Sequence, residues 1–171
     1  MIHIYEGDGK GKTTAAVGLS IRCAGSGHKV FFAQFLKGNE SNEIKLLKAI
    51  DNITVYEHTK EFGFTFAMQD EETRNAKKYY RDEFHKVIHY AKKSGAELLI
   101  LDEILDCCYL DMVDEDELLH FLMTRPKEME VVLTGRNPSD RMMEITDYHT
   151  HFQKIKHPFD RGVVARYGIE M

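Results

Sequence analysis

Apolar residues in this sequence follow two spacings, and the alternation between them lays out the fold. Short runs in which nearly every position is apolar read as strands: Ile2-His3-Ile4-Tyr5, then residues 29–35 (KVFFAQF), 53–56, 97–103 (ELLILDE) and 129–134 (MEVVLT). A last strand is predicted near residues 152–155. Between these runs lie stretches that read as helices. The first covers residues 15–24 and is closed by Gly25-Ser26-Gly27. A second starts with Ser41 as N-cap and carries Ile44, Leu46, Leu47 and Ile50 on its apolar face. A long charged helix spans 70–93 and stops at Ser94-Gly95, and a fourth, 114–123, places acids in its first turn, where the helix dipole favours them. Strands that alternate with helices, the central ones apolar on both faces, predict an α/β fold: a mostly parallel central sheet with helices on both faces.

Composition narrows the class. At 171 residues the chain predicts one domain, 1–171, able to bury roughly 70% of its unfolded surface without disulfides or a structural metal. A 43% hydrophobic and 30% charged composition with three prolines gives no stretch that reads as disordered. The net charge of −5 argues against a general nucleic-acid binder. No apolar run approaches the roughly 18 residues of a membrane span, and no charged-then-apolar leader precedes the first strand, so a cytoplasmic protein is expected. Cys23, Cys107 and Cys108 are odd in number and lack Cys-x-x-Cys spacing, which excludes a disulfide framework and a structural zinc site.

The strongest chemical signal follows the first strand: Gly7-Asp8-Gly9-Lys10-Gly11-Lys12-Thr13-Thr14. A glycine-rich turn between a strand and a helix aims several backbone N–H groups at one point, and the helix N-terminus adds partial positive charge there. In such a P-loop Lys12 reaches across phosphates and the Thr13 hydroxyl meets Mg²⁺. The position where the usual pattern opens with Gly holds Glu6, with Gly7 and Gly9 as the compensating glycines. Asp102 and Glu103 end a continuous apolar strand, the place from which a carboxylate in a P-loop protein holds Mg²⁺ directly or through water. Spacing does not say which of the two lies closer.

Other constellations point less sharply. His85 and His89 lie four apart on a helix, without an evident third metal ligand. His149, His151 and His157 fall close along the chain and read as a weak cluster. Cys107-Cys108 reads as core packing, since adjacent cysteines bridge poorly. Phe62, Phe64 and Phe66 stand in a loop-like stretch, where large apolar groups either pack into a core or face a ligand.

Several segments together resemble the P-loop ATP:corrinoid adenosyltransferases: the loop 7–14 with Ala15-Ala16, Gln34-Phe35-Leu36-Lys37-Gly38, Gly63-Phe64-Thr65-Phe66 and Leu101-Asp102-Glu103. Thr134-Gly135-Arg136, Lys156-His157-Pro158-Phe159 and Gly168-Ile169-Glu170 complete the likeness, in the family's order and over nearly the whole chain. The resemblance implies transfer of the 5′-deoxyadenosyl group of ATP to the Co(I) of a corrinoid such as cobalamin, with release of triphosphate. It implies ATP lying reversed in the P-loop, a homodimer, and an electron donor such as a flavoprotein for Co(II). It carries over Gly7, Asp8, Gly9, Lys10, Gly11, Lys12, Thr13 and Thr14 as phosphate contacts, and Thr13 and Glu103 as Mg²⁺ ligands with Asp102 a second acid. Phe64 and Phe66 match an aromatic plug under the corrin ring; Phe66 stands where many members carry Trp. Longer relatives place an extension before the first strand, whereas here Met1 begins it. Co(I) is itself a strong nucleophile, so the protein needs no general base, only positioning and stabilisation of the leaving triphosphate. Two other classes fit a P-loop alone: a small-molecule phosphotransferase, which would release ADP, and a RecA-like ATPase module.

Overall fold

The structure is a computed structural model that describes residues 1–37, 41–59 and 70–169. Strand β1 (Ile2–Glu6) leads through the glycine-rich loop into α1 (Lys12–Gly25). Then follow β2 (Val30–Gln34), α2 (Asn42–Leu47), β3 (Ile53–Val55), α3 (Asp70–Ser94) and β4 (Leu98–Asp102). The second half comprises α4 (Ile104–Tyr109), α5 (Glu115–Thr124), β5 (Glu130–Gly135), α6 (Asp140–Glu144), β6 (Tyr148–His151) and a 3₁₀ turn at Pro158–Arg161.

Among the described residues the six strands are parallel, in the order β3-β2-β4-β5-β1-β6. Alternation along each strand sends side chains to opposite faces. Phe31, Ala33, Leu99, Leu101, Val131, Leu133, Ile2 and Ile4 face α3, α4, α5 and α6. Val30, Phe32, Leu98, Ile100 and Val132 face α1 and α2. The central strands are apolar on both faces because both are covered, as their uninterrupted runs predict. This is the expected α/β architecture, and it delivers the carboxyl ends of β1, β4 and β5 to one edge.

One local expectation needs correction. The last strand is Tyr148–His151, not 152–155; the apolar Phe152 and Ile155 suggested the later position, yet all four β6 side chains are exposed and the strand is held by its ladder to β1. Helices α4 and α6 have six and five residues, too short for a helical period to show in the sequence. Ser41 does precede α2, but its hydroxyl makes no capping bond, whereas Asp114 caps α5 by accepting from the Asp116 N–H at 2.9 Å. Among the described residues, no helix is long and apolar enough to cross a membrane.

Candidate active site at the strand ends

The glycine-rich loop starts where β1 leaves the sheet. Gly7 and Gly11 take φ near +120°, a conformation open to glycine at no steric cost. Gly7 and Gly9 are also small because the chain after β6 crosses directly over them: a Cβ at either would lie 2.5 Å from the Phe152 carbonyl oxygen. The Lys12 ammonium lies inside the loop, donating to the Gly7 and Gly9 carbonyls at 2.7 and 3.0 Å. Burial and the nearby Arg136 push Lys12 below the ordinary lysine range, against the pull of Glu103 and Asp106.

Asp102 is fully buried at the end of β4 and satisfied from three elements. Thr13 at the start of α1 donates its hydroxyl to the carboxylate at 3.0 Å, Thr134 on β5 at 2.6 Å, and Gln34 on β2 at 2.9 Å. Gln34 and Asp102 are direct partners in the β2–β4 ladder, so strand register alone makes that bond. Thr134 in turn accepts from the Glu103 N–H at 2.9 Å, which fixes the residue after Asp102 in a left-handed turn, φ 64°. The Lys37 ammonium lies 3.2 Å from the Thr13 hydroxyl, 3.1 Å from Glu103 and 3.5 Å from Asp102. Burial alone would lower Lys37, but the two carboxylates outweigh it and hold the ammonium above the ordinary lysine range. Three side chains from two segments, the start of α1 and the end of β4, thus converge on one cationic point, a donor set of hydroxyl and carboxylates that suits a hard divalent cation such as Mg²⁺.

Arg136 and Asp106 complete the rim. The Arg136 guanidinium stands 3.6 Å from Asp106, and burial together with the Glu103 charge raises the Asp106 carboxyl above the ordinary range. Gly135 is required between them, since a Cβ there would meet the Asp106 carboxylate at 2.5 Å.

The residues expected from sequence to act together therefore divide. Lys12, Thr13, Asp102 and Glu103 meet in one place, with Gly7, Gly9 and Gly11 forming the loop beside them. Asp8, Lys10 and Thr14 are exposed, and the Asp8 side chain accepts from the Lys154 N–H at 2.9 Å. Gly38, Glu170 and the aromatic stretch with Phe62, Phe64 and Phe66 lie outside the described residues. His85 pairs with Glu117 at 2.9 Å and His89 lies against Tyr90, and no group of three metal-ligating side chains is found among the described residues. His149 and His151 converge on Glu6, but His157 accepts from its own neighbour, the Phe159 N–H. Sequence reasoning gave no role to Gln34, Lys37, Asp106, Thr134 or Arg136. The available signal was polar residues ending otherwise apolar strands, as Gln34 and Thr134 do.

The family of ATP:corrinoid adenosyltransferases BtuR/CobO/CobP matches residues 1–171 of this chain. The chain belongs to that family. It is 33% identical to the corrinoid adenosyltransferase of Escherichia coli (strain K12), covering 99% of this chain and 85% of the relative. It is 32% identical to the corrinoid adenosyltransferase CobA of Salmonella typhimurium, over the same shares. Among solved structures, EssC (ATPases 2 and 3) from Geobacillus thermodenitrificans superposes over 98% of this chain, with TM-score 0.52 and 12% identity, and this chain spans 34% of that one. That likeness concerns the α/β fold alone. As a corrinoid adenosyltransferase the protein is an enzyme that joins the adenosyl group of ATP to a corrinoid, and the phosphotransferase and ATPase-module readings find no support.

Proposed function

We propose that the loop 7–14 holds the triphosphate of ATP, with Lys12 neutralising the charge that grows as triphosphate departs from the 5′-carbon. Thr13 and Glu103 would hold Mg²⁺ against the phosphates, with Asp102 orienting Thr13 from behind. The convergence of Thr13, Asp102 and Glu103 on the Lys37 ammonium supports this reading, because the same oxygens face a cation already. When bound, Mg²⁺ would add charge stabilisation at the phosphate oxygens. Gln34 and Thr134 keep the Asp102 carboxylate aimed, and Lys37 is free to follow the phosphates once a stronger cation takes its place. The reading asks for no general base, because a Co(I) nucleophile carries its own electron pair. Cobalamin as acceptor, an external electron donor such as a flavoprotein, a homodimer and a cytoplasmic setting belong to the same reading.

The test is triphosphate release from ATP with chemically reduced cobalamin. Lys12→Ala should lower kcat by about 10²–10³, the usual loss for one donor that acts on developing charge. Wild-type kcat in a folded Lys12→Ala protein, or ADP as the product, would refute it.

A further inference from the structure

The glycine-rich loop is held down by a strand with no buried side chains. All four residues of β6 are exposed, so burial contributes little to keeping this edge strand in place. Yet the residue that follows it does the clamping. The Phe152 N–H donates to the Glu6 carbonyl at 2.7 Å, its own carbonyl accepts from the Gly9 N–H at 2.6 Å, and its ring lies 3.3 Å from where a Gly11 Cβ would be. The loop therefore keeps its shape only while Phe152 stays where it is.

The side chains one position before each partner tie the two segments together. Glu6 directly precedes Gly7, and His151 directly precedes Phe152. One oxygen of the Glu6 carboxylate, Oε1, accepts from His151 Nδ1 at 2.6 Å and from His149 Nε2 at 3.0 Å. Glu6 and His151 are direct partners in the β1–β6 ladder, and His149, two residues back, points to the same face. Glu6 is only 12% exposed, while the two imidazoles are about half exposed. Burial would raise the Glu6 carboxyl, but the two histidines outweigh it and hold it below the ordinary range. Among the described residues, Asp8 lies close to His151 and accepts from the Lys154 N–H, and the Lys154 ammonium pairs with Asp160.

We propose that Glu6, through His149 and His151, is a positioning residue for ATP: it fastens the 148–152 segment over the glycine-rich loop and so sets the loop's affinity for the triphosphate. The residue that departs from the usual loop pattern is then a working part of this chain's loop. This rests on the loop 7–14 being the triphosphate site. Opening the clasp leaves Lys12, Thr13 and Glu103 in place but lets the loop lose its preorganised shape, so the loss falls on binding rather than on the chemical step.

The experiment is steady-state kinetics with ATP and pre-reduced cobalamin varied in turn, together with ATP binding by calorimetry. Glu6→Ala should raise the KM and Kd for ATP about tenfold, the effect of a lost charge-assisted hydrogen bond, and leave kcat and the KM for cobalamin within about twofold. Glu6→Gln, which keeps the shape and one acceptor, should fall between the two. The double variant His149→Ala/His151→Ala should match Glu6→Ala, and combining all three should add nothing further, as expected for members of one unit. An unchanged KM for ATP, effects that add in the triple variant, or equal losses in kcat and in both KM values that track a lower Tm would each overturn the proposal. Lys12→Ala separates the two readings: a collapse of kcat there with normal kinetics in Glu6→Ala refutes the clasp alone, whereas normal kinetics in Lys12→Ala refutes the loop assignment beneath it.

Discussion

Asp102 accepts hydrogen bonds from Thr13, Thr134 and Gln34 and is fully buried, while the next residue, Glu103, is partly open and pairs with the Lys37 ammonium. The two should respond differently to loss of charge. In Asp102→Asn a new N–H₂ group faces three donors, leaving a buried polar group unmatched, so both stability and activity should drop, stability by about 1–3 kcal/mol. Glu103→Gln should fold normally but require more Mg²⁺. Mg²⁺ titrations of activity beside thermal melts check this, and identical Mg²⁺ curves for Glu103→Gln and wild type would refute the ligand assignment. A second buried carboxylate lies outside the site. Glu83 accepts from Tyr56 at 2.9 Å, from Lys86 at 2.7 Å and from His58 at 3.1 Å. Burial would raise Glu83, but the bonds from Lys86 and Tyr56 hold it below the ordinary range, and burial holds His58 below its own. Both folded values lie under the unfolded ones, so each group stabilises the fold above its unfolded pKa and loses that contribution as pH falls. Tm should therefore decline in two arms, one beginning below about pH 6.5 from His58 and one below about pH 4.3 from Glu83. Glu83→Gln should cost about 1.5–3 kcal/mol at neutral pH and flatten the lower arm, as melts from pH 8 to pH 4 would show.

The elements show what the sequence makes legible. Strands β2, β4 and β5 are continuous apolar runs whose ends fall within a residue of expectation, because burial on both faces leaves no other pattern to confuse with it. Lys12, Thr13, Asp102 and Glu103 were equally readable, since they end or begin such elements. Strand β6 was not: its residues Tyr148, His149, Thr150 and His151 are exposed, and what recruits them is the ladder to β1, a partner far away in the chain. The same holds for Thr134 and Gln34, whose meaning comes from register and from a neighbouring strand. The stretch with Phe64 and Phe66, which falls between β3 and α3 in the sequence, lies outside the described residues, and the resemblance alone implies its place under the corrin ring. If these rings displace the lower axial ligand of cobalamin, Phe64→Ala/Phe66→Ala should block adenosylation that starts from Co(II) with a mild reductant and spare most activity with pre-reduced Co(I). Ordinary core residues would instead cost about 3–5 kcal/mol each and impair both assays together. The optical spectrum of bound Co(II), which reports axial ligation, decides between them.

At the scale of the whole molecule, the segment after β6 carries apolar side chains that stand exposed among the described residues: Ile155, Phe159, Val164, Tyr167 and Ile169. A run of this kind is expected to pack on a second copy, so sedimentation should report twice the 19.8 kDa chain mass, and Phe159→Asp/Tyr167→Asp should shift it toward the monomer. A monomeric wild-type protein would refute the homodimer. The order of the sheet also bears on how the protein is made. Strand β1 leaves the ribosome well before its two neighbours, β5 and β6, and the Ile2 N–H finds its acceptor on Asp147, 145 positions later. Strand β1 must wait, unpaired on both edges, for strands made much later. Translation that stalls before β6 would leave a nascent chain whose nucleotide loop has no roof and whose first strand has an open edge, a species suited to chaperone capture rather than to catalysis.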